Sequence, residues 1–553
     1  AESGPAATLV FAWDDGLSSD DAYRLVIGGG KIEVTARAVP GAFYAVATLA
    51  QLLQTHGRTL PALAIDDWPD FPARGVMLDI SRDKVPTMET LYQLVDRLAG
   101  WKINQLQLYT EHTFAYQDHR EVWEHASPMT PEQIRELDAY CRERCIELVP
   151  NQNSFGHMHR WFDHERYRSM AEIDQPFRAP WGDMLPPFSL SPAVPESLTF
   201  LEGLYAELLP NFTSTQFNVG CDETFDLGLG KSRALVEERG KGRVYLDFLL
   251  EIYRLVQKHG RTMQFWGDII NQYPELVLEV PKDTVALEWG YDHDYDFERT
   301  TRLYAESGLP FYVCPGTSSW NSISGRTDNC IENIRNAAYH GRARGAAGLL
   351  NTDWGDHGHW QTLPVSYLGF AWGAALSWAY DANVSADLPQ LLDLYAFEDE
   401  AGVMGRLAYD LGNIYKVPGR PGNMLFNVYV SPLKPEVKLD TGIRPRLYRA
   451  LAMIDEIMAP LDRAKMARPD ADLIKREFAH AAEMLRHGAK RALFQLEGTA
   501  LSADALAEEL DAIITEHRAV WLARNRPGGL EDSVRKIAAA REMYTGETPE
   551  LVS

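Results

Sequence analysis

Thr215-Gln216-Phe217-Asn218-Val219-Gly220-Cys221-Asp222-Glu223-Thr224 reads as a short buried strand that ends at a glycine and gives way to two adjacent carboxylates. Neighbouring like charges cost free energy unless each has its own task. Such a pair is a common place to find one acid held protonated and the other ionised. Taken alone, Asp222-Glu223 reads more simply as a solvated turn. The rest of the chain decides between the two, by what it brings to the same end of neighbouring strands.

Working outward from that strand, further runs of strand character lie at 75–80, 103–109, 146–149, 263–266, 284–289, 311–314 and 347–351. Helical patterns at 88–98, 131–144, 232–259, 331–341 and 367–379 alternate with them. Eight such units predict an α/β fold in which a (β/α)8 TIM barrel occupies residues 71–400. The alternative, a doubly wound open sheet, usually carries a Gly-rich loop after its first strand, and Ser81-Arg82-Asp83-Lys84 is not one. Ahead of the barrel, residues 1–70 predict a small α/β domain. Alternating runs at 23–27 and 31–35 flank Gly28-Gly29-Gly30 as a hairpin, a helix follows over 41–53, and Trp68-Pro69-Asp70-Phe71-Pro72 marks the boundary. Past a Gly/Pro cluster between Val417 and Asn423, helical periodicity at 444–458, 472–493 and 503–525 predicts a C-terminal helical domain over 401–553. The stretch 524–530 is either a helix-terminating loop, the simpler reading, or a turn that reaches the active site or the second subunit of a homodimer.

Composition narrows the function. The chain has 553 residues, 45% hydrophobic and 24% charged, with a net charge of -24. That balance fits a globular protein and argues against nucleic acid and anionic membranes as partners. Five cysteines without CxxC spacing indicate neither a disulfide framework nor a zinc ribbon, and no cofactor is expected. No run is apolar enough to span a bilayer. No secretory leader is read, and a start at Ala1 without Met leaves the compartment open, with the cytoplasm slightly favoured.

Chemistry in such barrels sits at the C-terminal ends of the strands. Asp79 and Arg82, Glu111 and His112, Asn151 to His157, Asp222 and Glu223, Trp266 and Asp268, Trp289, Trp320 and Asn321, and Trp354 and Asp356 all fall there. Four tryptophans (Trp266, Trp289, Trp320, Trp354) at one end of a barrel exceed what core packing asks for. An indole face suits the apolar face of a sugar ring, so together with carboxylates they imply a glycan substrate and glycoside hydrolysis. Successive side chains on a strand point to opposite faces, so Asp222 and Glu223 converge only where strand yields to loop. They then approach from one side, which suits an acid plus an orienting group with the nucleophile supplied elsewhere, the substrate included.

These residues resemble glycoside hydrolase family 20, the β-N-acetylhexosaminidases. The likeness rests on Phe71-Pro-Ala-Arg-Gly-Val-Met-Leu-Asp79, Gly156-His157, Val219-Gly-Cys-Asp-Glu223, Phe265-Trp-Gly-Asp268 and Trp354-Gly-Asp356, and it spans roughly residues 1–400. It implies that the substrate's 2-acetamido oxygen attacks the anomeric carbon. Glu223 is then the general acid and later base, and Asp222 orients the acetamide. Arg74 would hold sugar hydroxyls at the non-reducing end and Asp356 the outer hydroxyls. Trp266, Trp289 and Trp354 would wall the acetamide and floor the ring, with Trp320 in the same substrate-binding set, while His157 supports the acid pair. Glu111 stands where the family often has Asp-Asp, and no tyrosine near Trp320-Asn321 matches the one that bonds the acetamide oxygen. Two readings compete. One is a metal-dependent barrel hydrolase using His157-Met-His159 and His357-Gly-His359, which lacks a His pair on the first strand. The other is a catalytically silent sugar-binding barrel, against which the intact Asp222-Glu223 pair argues.

Overall fold

Eight parallel strands form one sheet in the computed structural model: β5 (Ala73–Asp79), β6 (Gln105–Tyr109), β7 (Glu147–Val149), β10 (Gln216–Asn218), β11 (Thr262–Trp266), β12 (Val285–Trp289), β13 (Phe311–Cys314) and β14 (Gly348–Asp353). β14 pairs back onto β5 from Gly348↔Ala73 to Asp353↔Leu78. The parallel bridge Asn151↔Asn218, just past β7, joins the remaining two edges. The sheet therefore closes into the expected barrel. Its strands are buried on both faces, including polar side chains such as Gln105 and Gln107, which bond each other inside the barrel, and Asn351, which donates to Gly369 O. The description covers residues 8–419, 422–431, 442–497 and 501–545. Residues 1–7 of the first expected domain, Arg420 and Pro421 of the Gly/Pro cluster, and 432–441, 498–500 and 546–553 lie outside the described residues.

The helices between strands start where short polar side chains cap them. Thr87 accepts from Thr90 N ahead of Met88–Gly100, and Thr130 and Gln133 form a reciprocal capping box ahead of Pro131–Arg142. The single helix expected over 232–259 is two, Arg233–Arg239 and Lys241–Lys258. Gly240 between them adopts φ 84°, ψ 146°, a conformation open to glycine that ends the first helix.

Before the barrel, β1 (Thr8–Trp13), β2 (Tyr23–Gly28), β3 (Lys31–Ala36) and β4 (Leu63–Asp67) form a sheet in the order β1-β3-β2-β4, packed on the helix Val39–His56. The hairpin of β2 and β3 is as expected. β1 and β4 were not legible, and β1 is exposed along its whole length, so it shows no alternation. A two-strand hairpin, β8 (Phe177–Arg178) with β9 (Met184–Leu185), projects from the long connection after β7.

The C-terminal helices include Ile443–Met458, Ala471–Glu497, Ala503–Arg524 and Leu530–Ala538. Their buried faces, with Leu447, Phe478, Leu485 and Ile537, continue the core that packs around the barrel. The 524–530 stretch does more than end a helix. Arg526 donates to the carbonyls of Pro86 and Pro128, and Asn525 bridges to Pro86. Ser533 Oγ donates to Gly358 O, and Lys536 pairs with Asp83 at 2.5 Å. These contacts fix the helical domain to loops at the catalytic rim. None of the described helices is long and apolar enough to cross a membrane.

Candidate active site

The Asp222-Glu223 pair converges because the chain leaves β10 through three left-handed residues, Gly220 (φ 69°), Cys221 (φ 72°) and Glu223 (φ 51°). A Cβ at position 220 would lie 1.6 Å from Asn153 Oδ1, so only glycine fits. The kinked turn is pinned from outside. Tyr245 Oη donates to Cys221 O at 2.9 Å, and Glu223 N donates to Asp268 Oδ2 at 3.0 Å. Left-handed non-glycine residues store strain that the surroundings must support, a feature common at functional sites.

His157, itself left-handed at φ 59°, places Nε2 3.2 Å from Asp222 Oδ2 and 3.4 Å from Glu223 Oε2. Burial alone would lower its pKa, but Asp222 and then Glu223 outweigh that and lift it to about 10. The two acids differ in access: the Glu223 side chain is 27% exposed and that of Asp222 8%. Asp222 Oδ1 is buried without a partner, as are Trp266 Nε1 and Trp289 Nε1. Buried polar groups are almost always satisfied, so an unpartnered oxygen on Asp222 is an exception in this turn. Asp268, half-buried and bonded to Glu223 N, has its carboxyl pushed well above the usual range, by desolvation first and by Asp222 second.

Arg82 organises the other half of the site. Its guanidinium lies 2.9 Å from Asp79 Oδ2, 3.0 Å from Asp356 Oδ1 and 3.5 Å from Glu111 Oε1, and it stacks over Tyr109 and Trp354. Tyr109 Oη donates to Glu111 Oε1 at 2.8 Å, and burial raises the Glu111 pKa. An open cavity of ≈ 440 Å³ is lined by Arg82, Glu111, His157, Glu223 and Asp356.

Arg74 is not part of it. It sits at the N-terminal end of β5, fully buried, bound to Asp21 and to the carbonyls of Phe71, Pro72 and Lys102. Strand polarity puts it at the bottom of the barrel, against the first domain, where it is structural. Arg82, after the C-terminal end of the same strand, occupies the rim.

The four tryptophans do gather at one end. Trp266 and Trp354 have ring centroids 6.1 Å apart, and Trp289 stacks on Tyr291, which meets Trp320 edge-on. None of the four lines the open cavity; they pack with Tyr109 and Met77 as a cluster inside the barrel mouth. Tyr291 was missed. It lies two residues beyond Trp289, and its Oη accepts from Trp354 Nε1 at 2.8 Å. A tyrosine following the Trp289-Gly290 strand end was the available signal.

The metal reading fails on geometry. His159 lies parallel to Phe188, His357 bonds Asn321 and His359 bonds Arg82 O, so the two His-X-His pairs do not converge. Among the described residues the one trio close enough to share an ion is His157, Asp222 and Glu223.

Residues 71–321 match the family described as "Glycosyl hydrolase family 20, catalytic domain", and residues 2–68 its "domain 2". A beta-hexosaminidase of Vibrio furnissii is 27% identical over 318 residues, 49% of this chain and 48% of that protein. A beta-N-acetylhexosaminidase of Cellulomonas fimi is 25% identical over 320 residues, 52% of this chain and 63% of that one. The chain thus spans less than two thirds of the length of each of these two relatives. The structure of Flavobacterium johnsoniae chitobiase superposes with a TM-score of 0.60 at 18% identity, covering 94% of this chain and 89% of that one, which shows a shared fold.

Proposed function

Because the chain belongs to glycoside hydrolase family 20, we propose that it is a retaining exo-β-N-acetylhexosaminidase. It removes terminal β-linked N-acetylglucosamine or N-acetylgalactosamine from glycans, and the substrate's own acetamide is the nucleophile. The observation that carries this reading is the unpartnered acceptor Asp222 Oδ1, buried beside the more open Glu223. A carboxylate with one oxygen on His157 and the other free is suited to receive an amide N–H. A nucleophilic carboxylate facing the acid across the scissile bond is not needed in this scheme, and Glu111 and Asp356 are already engaged by Arg82.

In the first step the acetamide oxygen attacks the anomeric carbon, and the bond to the leaving oxygen breaks. Glu223 donates its proton to that oxygen. Asp222 accepts the acetamide N–H and balances the positive charge that grows on the oxazolinium ring. In the second step Glu223 takes a proton from water, the water oxygen bonds to the anomeric carbon, and the ring reopens. Two displacements retain configuration. Arg82 and Asp356 would hold the hydroxyls of the non-reducing end, closing the site to longer chains there.

The test is hydrolysis of aryl N-acetyl-β-gluco- and galactosaminides with NMR detection of the first-formed anomer. The β anomer and inhibition by a thiazoline mimic of the bicyclic intermediate are expected. A first-formed α anomer, or a trapped ester between sugar and side chain, overturns the proposal.

A further inference from the structure

Indole exposed beside a catalytic acid calls for a partner. Trp181, at the tip of the β8–β9 hairpin, is 55% exposed and lines the same cavity as Glu223. The hairpin is small, yet it is tied to the acid loop at two points. The ring of Trp181 meets Phe225 edge-on at 5.3 Å, and Phe225 lies two residues beyond Glu223. At the hairpin's base, Asp226 Oδ2 accepts from Phe188 N and Ser189 N at 3.1 and 3.0 Å. The buried carboxylate of Glu172 takes Ser191 Oγ on its own side, and Gly230 N and Ser232 Oγ from the loop after Glu223. Within the hairpin, Arg178 donates to Gly182 O at 2.7 Å across the turn. The indole is therefore held in register with Glu223.

Glu223 must reach the leaving oxygen, so whatever departs lies against the Glu223 side of the cavity. Glu111 and Asp356, each paired with Arg82, line the same cavity and are already engaged. We propose that Trp181 is the platform for a leaving sugar: a pyranose ring lays its apolar face on the indole, and Asp183, two residues on and in the same lining, accepts from its hydroxyls. The substrates are then glycans in which the terminal N-acetylhexosamine is linked to a second pyranose. This inference rests on the reaction proposed above.

The experiment compares two substrates of the purified full chain. The β-1,4-linked disaccharide of N-acetylglucosamine has a leaving sugar; N-acetyl-β-glucosaminyl fluoride has none. For Trp181→Ala, the ratio of kcat/KM for disaccharide over fluoride falls at least tenfold, and Trp181→Tyr restores most of it. A ratio that does not change, with both values intact or both reduced alike, overturns the platform. If the wild-type chain hydrolyses neither substrate, the proposed reaction fails, an outcome distinct from a wild type that cleaves both while the variant ratio stays fixed.

Discussion

His157 Nε2 stands 3.2 Å from Asp222 Oδ2 in a buried pair, and the same nitrogen lies 3.4 Å from Glu223 Oε2. With its pKa raised from 6.5 to about 10, the imidazolium contributes stability that is fully present below about pH 6.5 and is lost as pH rises through about 10. The stability difference between wild type and His157→Gln, measured by urea unfolding, should be level at pH 5 to 6 and shrink steadily from pH 7 to 10. A difference that instead grows with pH would reverse the assigned sign. The imidazole also holds Asp222 Oδ2 in place, so His157→Gln should lower kcat by roughly tenfold or more.

Glu223→Gln should abolish turnover of substrates with poor leaving groups and reduce it for activated ones far less, while binding is largely kept. Loss of a positioned general acid costs about 10²- to 10⁴-fold. Asp222→Asn should cost on the order of 10²-fold with any leaving group, since the oxazolinium forms in every case. Comparing kcat for fluoride, nitrophenyl and disaccharide substrates separates the two roles; parallel losses for both variants across the series would contradict it.

Arg82 and Arg74 should separate cleanly. Arg82→Ala removes the cation shared by Asp79, Glu111 and Asp356, and should lower kcat/KM by roughly tenfold to a hundredfold at little cost in secondary structure. Arg74→Met leaves Asp21 without its cation. That change should cost about 3–5 kcal/mol of stability in chemical unfolding and leave kcat/KM of the folded protein intact. The reverse pattern would return Arg74 to the site.

Lys84 is buried between the barrel and the helical domain, with its ammonium on Gln361 O and over the Trp521 ring. Burial lowers its pKa to about 7, against an ordinary 10.5, and Asp353, Glu477 and Asp83 only partly offset this. The unfolded chain therefore binds more protons than the native one between about pH 7 and 10.5, and this residue's penalty is relieved as pH rises through that window. Wild type should gain stability relative to Lys84→Met from pH 7 to 10, in calorimetry or urea titration. A gain toward acid would refute the burial effect.

Much of this was written in the sequence. The barrel was legible because short runs of strand character alternate with longer helical patterns along residues 71–400. That Asp222, Glu223, His157 and Asp356 lie at one end of the barrel was legible because strand ends in a barrel converge. Arg74 was misread although both arginines flank one strand. A strand of seven residues separates its ends by about 20 Å, and the polarity that assigns chemistry to one end should have excluded the other. Tyr291 escaped because it follows the strand end rather than ending it. The hairpin bearing Trp181 has two-residue strands, too short for any period to register. The 524–530 stretch stood out as a turn that could reach the active site, but which loops it and residues 533–536 contact is set by tertiary packing and was not legible.

The way Arg526, Ser533 and Lys536 grip Pro86, Gly358 and Asp83 bears on how this chain can be re-used. The barrel is no free-standing cassette. Cut near residue 400, it would expose the apolar seam that the helices cover and release the loops that carry Asp83 and Asp356. Grafts or minimal enzymes drawn from this scaffold would have to carry the helical partner along, and swapping that partner is a route to reshaping the mouth without touching a strand.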